Sequence, residues 1–426
     1  MTKKRISIFY AWGSTNAGDH ALTLGAISLV RQVCEDAEIT VVTRYGTDEE
    51  EHITTTQKLR EFDSELTICP NPFRGSSQSS IGKLRRIFSG ATQSALSLIA
   101  PSVSRFVFKN SPAYQAMIHC DWALQNGGNL YYWNSSRKAI SRLAAFALPL
   151  RIAKSAGNKV GFLPQTIGSL EGTIGNWFAE FIASADFVLF RDSSSKKNLS
   201  NASSCTSKTM TVPDLVYFMP AQPPELATSS LEFPAEFIAI TLRDESLGDY
   251  GVADYEEDRA ATRKRILELF LAALTIVKRD FDLPIVIVIQ VMRDAEVSHL
   301  LADLLVEHGF SATVVECYDP LTLISFYASA KILIAQRLHS QIFALNSGTP
   351  SVALWRQRLG TKIPSMMSDL ECSDYCLDFD KTDAESVGRA TCDLLKNLEN
   401  VSERCKSLLS QRKQETIEFL RTQLDE

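Results

Sequence analysis

The residues best suited to chemistry sit where apolar runs stop. Arg337 and His339 follow the run KILIA at 331–335 and open a helical pattern that closes at Gly348, Thr349 and Pro350. A guanidinium presents a planar fork of donors that matches a carboxylate or a phosphate. A helix start beside it adds unsatisfied backbone N–H groups and the positive end of the dipole. An imidazole titrates near neutral pH and can move a proton. By itself, His339 reads more readily as a buried structural residue; next to Arg337 at a strand-to-helix junction it points to chemistry. Leu338 and Ser340, the neighbours of the histidine, are counted with the substrate-binding residues. Arg243 closes a second apolar run, Phe237–Leu242, and would bring another cation to the same place.

The N-terminal half holds further turns of this kind. The first, GSTNAGD at 13–19, follows a short β-rich run. Its glycines allow backbone amides to approach an anion, and the next helix begins there. Asn16 and Gly18 are candidate binding residues. Asp19 would repel an anion, which suits it to sugar hydroxyls or acid–base work; the structural alternative is that Asn16 or Asp19 caps the helix. The second turn is QNGGN at 125–129, where Gly127, Gly128 and Asn129 either admit a ligand to the backbone or make a tight turn. The third, PQTIG at 164–168, carries Gln165, whose amide can bond a sugar or a carboxylate. In FRDS at 190–193 the structural reading is favoured, with Asp192 or Ser193 as a cap.

These turns need a scaffold that ends strands in one direction. Apolar strand, turn and amphipathic helix alternate along the chain, and the strands are nearly continuous apolar runs, as in a parallel sheet covered on both faces. One series has strands at 6–11, 39–43, 122–125, 160–164, 187–190 and 209–212; the other has them at 237–242, 285–290, 313–316, 332–335 and 351–354. Between the two lies a Pro-, Ser- and Thr-rich stretch at 221–236, suited to a linker. The expected architecture is α/β: two Rossmann-like doubly wound domains facing a cleft, with boundaries at 1–225, 226–400 and a closing helix at 401–426. A basic Gly/Ser-rich segment at 71–90 and an acidic one at 244–259 break the pattern and read as surface loops.

Composition narrows the partners. A net charge of −6 gives no basic surplus, so nucleic acid is not an expected partner. Nine cysteines are scattered with one close pair, Cys372 and Cys376, and the six histidines form no cluster, so no metal site or disulfide framework is expected. Reduced cysteines and the lack of a signal-like N-terminus fit a cytoplasmic protein. The best candidate for a membrane span, Ser94–Phe108, is broken by Pro101, Ser102, Ser104 and Arg105. Lys83, Leu84, Arg85 and Arg86 before that stretch offer a peripheral membrane contact, although an ordinary amphipathic helix is the plainer reading.

Taken together and in order, these pieces resemble the polysaccharide pyruvyltransferase family. The resemblance runs through GSTNAGD at 13–19, QNGGN at 125–129, LPQTIG at 163–168, FRDSSS at 190–195, VPDL at 212–215, ITLR at 240–243 and QRLHSQIFALNSGTPSVAL at 336–354. It implies a GT-B-like fold and transfer of a pyruvyl group from phosphoenolpyruvate to sugar hydroxyls, with no further cofactor and a saccharide acceptor, including lipid-linked ones. Arg337 and His339 match the family's Arg-x-His donor site, Arg243 its strand-end arginine, and Asn16, Gly18 and Asp19 its N-terminal loop. Two departures bear on the acceptor: Asn129 stands where a third glycine is common, and Lys362 is the candidate for a lysine that the family places closer to an aromatic residue. A GT-B glycosyltransferase with a nucleotide-sugar donor is the rival reading.

Overall fold

The computed structural model describes residues 3–47, 49–71, 101–133, 137–199, 208–244 and 259–425. Most of the basic segment at 71–90, including Lys83–Arg86, most of the acidic segment at 244–259 and the first part of Ser94–Phe108 lie outside the described residues. The chain forms two compact units. One comprises Met1–Thr15, Asp19–Met219 and Lys413–Glu426; the other comprises Asn16–Gly18 and Pro220–Arg412. Each is built on a parallel sheet, as the alternation of strands and helices requires.

In the first unit the strands are β1 (Arg5–Ala11), β2 (Glu38–Thr43), β3 (Thr67–Cys69), β4 (Trp122–Gln125), β5 (Gly128–Tyr131), β6 (Lys159–Ile167), β7 (Phe187–Phe190) and β8 (Lys208–Thr211). Their order is β3-β2-β1-β4-β6-β7-β8, with β5 paired to β6. The pairings are parallel, with Ile6 opposite Trp122 and Phe9 opposite Gln125 between β1 and β4. β4 and β7 are buried along their whole length, the mark of strands covered on both faces.

Strand β6 continues past Pro164, where the sequence suggested it would stop. Proline cannot donate to a ladder, so a strand carries it only where pairing is interrupted. The ladder to β7 shifts register between Phe162 and Gln165. On the other side, β6 leaves β4 after Phe162 and takes up β5, with Gly128 opposite Gln165. The proline thus sits where β6 changes partners.

In the second unit the strands are β9 (Ile238–Thr241), β10 (Ile285–Ile289), β11 (Ala312–Glu316), β12 (Ile332–Ala335), β13 (Ser351–Trp355) and β14 (Cys376–Asp378), in the order β11-β10-β9-β12-β13-β14. The order reverses between β9 and β12, as it does between β1 and β4 in the first unit. In open α/β sheets, such reversals open a crevice at the carboxyl ends of the two strands.

The chain leaves the first unit between Met219 and Pro220, and the helix Leu398–Asp425 belongs to the second unit through Arg412 and to the first from Lys413 onward. There it buries Leu420 and Leu424, sets Phe419 edge-on to Phe187 with centroids 6.3 Å apart, and places Lys413 over the Phe218 ring. Lys4 pairs with Asp425 at 2.7 Å.

Candidate functional site

The crevice between β9 and β12 collects the residues that the sequence singled out in the C-terminal half. Beyond the paired strands the chain keeps its register through a side chain. Gln336 N donates to Thr241 O at 3.0 Å, and Arg243 N donates to Gln336 Oε1 at 3.0 Å. Arg243 and Arg337 therefore follow the ends of neighbouring strands. Arg337 is the residue just before the helix Leu338–Asn346, in extended conformation, so its backbone turns where the helix exposes its first N–H groups.

The guanidinium of Arg337 is gripped by a residue that sequence reasoning passed over. Its Nε donates to Asp294 Oδ2 at 2.5 Å and its Nη2 to Asp294 Oδ1 at 2.7 Å. This is a bidentate fork, with the arginine side chain 13% and the aspartate 3% exposed. Asp294 comes from the 3₁₀ turn Met292–Asp294 beyond β10 and also accepts from Asp244 N at 3.0 Å. Strand β10 lies next to β9, so its end adjoins the crevice. By position Asp294 reads as the cap of the helix Ala295–Glu307, yet its carboxylate makes no cap hydrogen bond.

Asp244 anchors a second set of charges. Its buried carboxylate takes Arg263 Nη2 at 2.5 Å and Arg259 Nη2 at 2.7 Å, and Arg263 continues to Glu296. Burial pushes the Asp244 carboxyl up, but hydrogen bonds from Arg263 and Arg259 outweigh it and hold the group below its ordinary value of 3.8.

His339 is half-buried in the first turn of the helix Leu338–Asn346, and Leu338 is half-buried too. Ser340, next in that helix, is fully buried and lies near the Tyr327 hydroxyl. Lys362 opens the helix Lys362–Asp369.

The N-terminal turns form a linked set. Asn126 N extends the β1–β4 ladder by donating to Phe9 O at 3.0 Å. Its side chain donates to Thr23 Oγ1 at 3.1 Å and accepts from Gly127 N at 2.8 Å. Trp12 donates from its indole to Gly127 O at 2.9 Å and from its backbone to Thr23 Oγ1 at 2.9 Å. Gln165, expected at a ligand, is fully buried, and its amide donates to Asn126 O at 2.5 Å; it supports the turn. Gly127 is a packing requirement, since a Cβ there would lie 2.4 Å from Leu215 Cδ1 and 2.8 Å from Pro164 O. Gly128 has φ +141 and faces the Trp12 ring. Asn129 is half-buried within β5.

Asn16 Oδ1 accepts from Gly18 N at 3.0 Å as the helix Ala17–Val33 begins, which is the capping role. Asp19 lies in the first turn of that helix, where a carboxylate is favoured by the dipole, and is half-buried. Just before the loop, Tyr10 holds φ +68 at a register shift in β1. Its ring meets Trp12 edge-on at 5.4 Å, and Arg44, following β2, lies over Tyr10, Trp12 and Tyr45 at 5.1 to 5.5 Å. FRDS is structural: Arg191 makes a buried pair with Asp214 at 2.6 Å, and Asp192 Oδ1 accepts from Ser195 N. No group of three or more metal-binding side chains occurs among the described residues, and no helix among them is long and apolar enough to cross a membrane.

The family model described as polysaccharide pyruvyl transferase matches residues 16–358. No curated protein matches the chain in sequence. Among solved structures, UDP-GlcNAc 2-epimerase from Neisseria meningitidis, bound to UDP-GlcNAc, is similar with a TM-score of 0.57 at 12% identity, over 98% of this chain and 99% of its own. HepE from Anabaena, in complex with UDP and glucose, gives 0.53 at 12% identity, over 98% and 100%. A trehalose-6-phosphate protein from E. coli, bound with UDP-2-fluoro glucose, gives 0.54 at 12% identity, over 99% of each chain. At such identities the likeness speaks to the fold, which is that of GT-B glycosyltransferases and related epimerases.

Proposed function

Because the chain belongs to the polysaccharide pyruvyl transferase family, we propose that it takes the pyruvyl group from phosphoenolpyruvate and sets it as a cyclic ketal on two hydroxyls of a saccharide. The observation that carries the donor assignment is Arg337, fixed by Asp294 beside a helix start and next to the strand-end Arg243. Phosphoenolpyruvate is a small molecule with two anionic groups, and two arginines following adjacent strands suit it. A fixed guanidinium needs no reorganisation when charge develops on the donor.

The reaction moves protons at defined atoms. The methylene carbon gains a proton, the central carbon becomes oxocarbenium-like, and a sugar hydroxyl attacks it. Phosphate departs, and a neighbouring hydroxyl closes the ketal. We assign His339 to the proton work or to the phosphate, and keep Asp19 for deprotonating the acceptor. The acceptor class includes free, nucleotide-linked and lipid-linked sugars, met on the cytoplasmic side. The deciding experiment is phosphate release from phosphoenolpyruvate against a panel of those three classes. Release that depends on an acceptor supports the reading. No release with any acceptor, together with thermal stabilisation by nucleotide sugars but not by phosphoenolpyruvate, would replace it with a glycosyltransferase.

A further inference from the structure

Two cysteines far apart in the chain meet inside the second unit. Cys372 follows the helix Lys362–Asp369, Cys405 lies in the helix Leu398–Asp425, and their sulfurs are 3.3 Å apart, 33 residues removed in sequence. Both are 2% exposed; Glu371 and Ser373, on either side of Cys372, are exposed, and Glu371 holds φ +56. Arg404, also exposed, is tied to this turn by a bond from Nη2 to Glu371 O at 3.0 Å.

We propose that Cys372 and Cys405 form a redox modification site, in which a hydroperoxide converts the two thiols to a disulfide. The Cys372 thiolate attacks one peroxide oxygen, the O–O bond breaks, and the leaving hydroxide takes a proton, giving water and a sulfenic acid. Cys405 sulfur then attacks the Cys372 sulfur; the S–O bond breaks, the S–S bond forms, and the second oxygen leaves as water with the Cys405 proton. Two thiols lose two electrons in total and hydrogen peroxide becomes two waters. The order of attack follows from the surroundings. The contact with Cys405 and the nearby Arg404 hold the Cys372 thiol below its ordinary range against the effect of burial, while the same contact, with burial, pushes Cys405 up. Burial pushes Cys120 up to about 11 and Cys376 up to about 12, which keeps both in the thiol form at neutral pH.

The test is peptide mapping of the full chain after hydrogen peroxide, without reductant. The expected product is a Cys372–Cys405 cross-linked peptide lighter by two hydrogens, restored by a dithiol, with Cys120 and Cys376 unmodified. In Cys405→Ser, a 1,3-diketone should trap a sulfenic acid at Cys372. Recovery of Cys372 and Cys405 as free thiols after doses that oxidise the half-buried Cys34 overturns the proposal. So does a disulfide from Cys372 to any other cysteine.

Discussion

The Arg337–Asp294 fork makes the sharpest prediction. In Asp294→Asn the side chain keeps its shape and one acceptor, which can serve Asp244 N and Arg337 Nη2. Its amide nitrogen then faces Arg337 Nε, donor against donor. One charge-assisted hydrogen bond is lost, worth about 1.5–3 kcal/mol. If that energy positions the guanidinium for the donor, KM for phosphoenolpyruvate should rise by about 10- to 150-fold, at 1.4 kcal/mol per decade. Asp294→Ala should be worse, because it removes both hydrogen bonds of the fork from a largely buried guanidinium, a loss of about 3–5 kcal/mol in stability. The assay is steady-state phosphate release alongside thermal melting, for both variants and for Arg337→Met combined with Asp294→Asn. The double variant should be little worse than Arg337→Met alone, since each change removes the same fork. A lowered melting temperature with unchanged KM in Asp294→Asn would show that the pair holds the fold only, and would refute the donor reasoning.

Three further outcomes are expected. His339→Ala should cut turnover by about 10²-fold if the imidazole moves the proton, and near-normal phosphate release would remove it from the chemistry. Gly127→Ala should cost about 1–3 kcal/mol in urea unfolding, because its new methyl meets Leu215 and Pro164 O; a neutral result would mean the turn can shift. The Asp244 carboxyl titrates lower folded than unfolded, so its contribution to stability is complete above about pH 4 and is lost as pH falls through the folded value. Arg263→Met should flatten that acid limb in melting against pH, and parallel limbs for the two proteins would contradict it.

Much of this was legible from local pattern, because the signal is local. The apolar runs at 238–241, 285–289 and 332–335 could be read as strands since burial on both faces demands unbroken apolar residues. Arg243, Arg337 and His339 could be picked out because they follow such runs. Asp294 could not, since its partner lies 43 residues away and its own neighbours suggest a helix cap. Cys372 and Cys405 were hidden for the same reason. The bond by which the Gln165 amide braces the turn at Asn126 was not legible either, because the two residues are 39 apart in sequence. Strands β3 and β14, three residues each at sheet edges, are too short to show a period.

The helix shared by both units orders events during synthesis. Residues 413–425, which cover Phe187 and Phe218, are made only after the whole of 220–412. N-terminal domains commonly fold as they emerge from the ribosome. Here the first unit must wait with an apolar face uncovered while the second is translated, so a chain released early would expose that face to aggregation or to a chaperone.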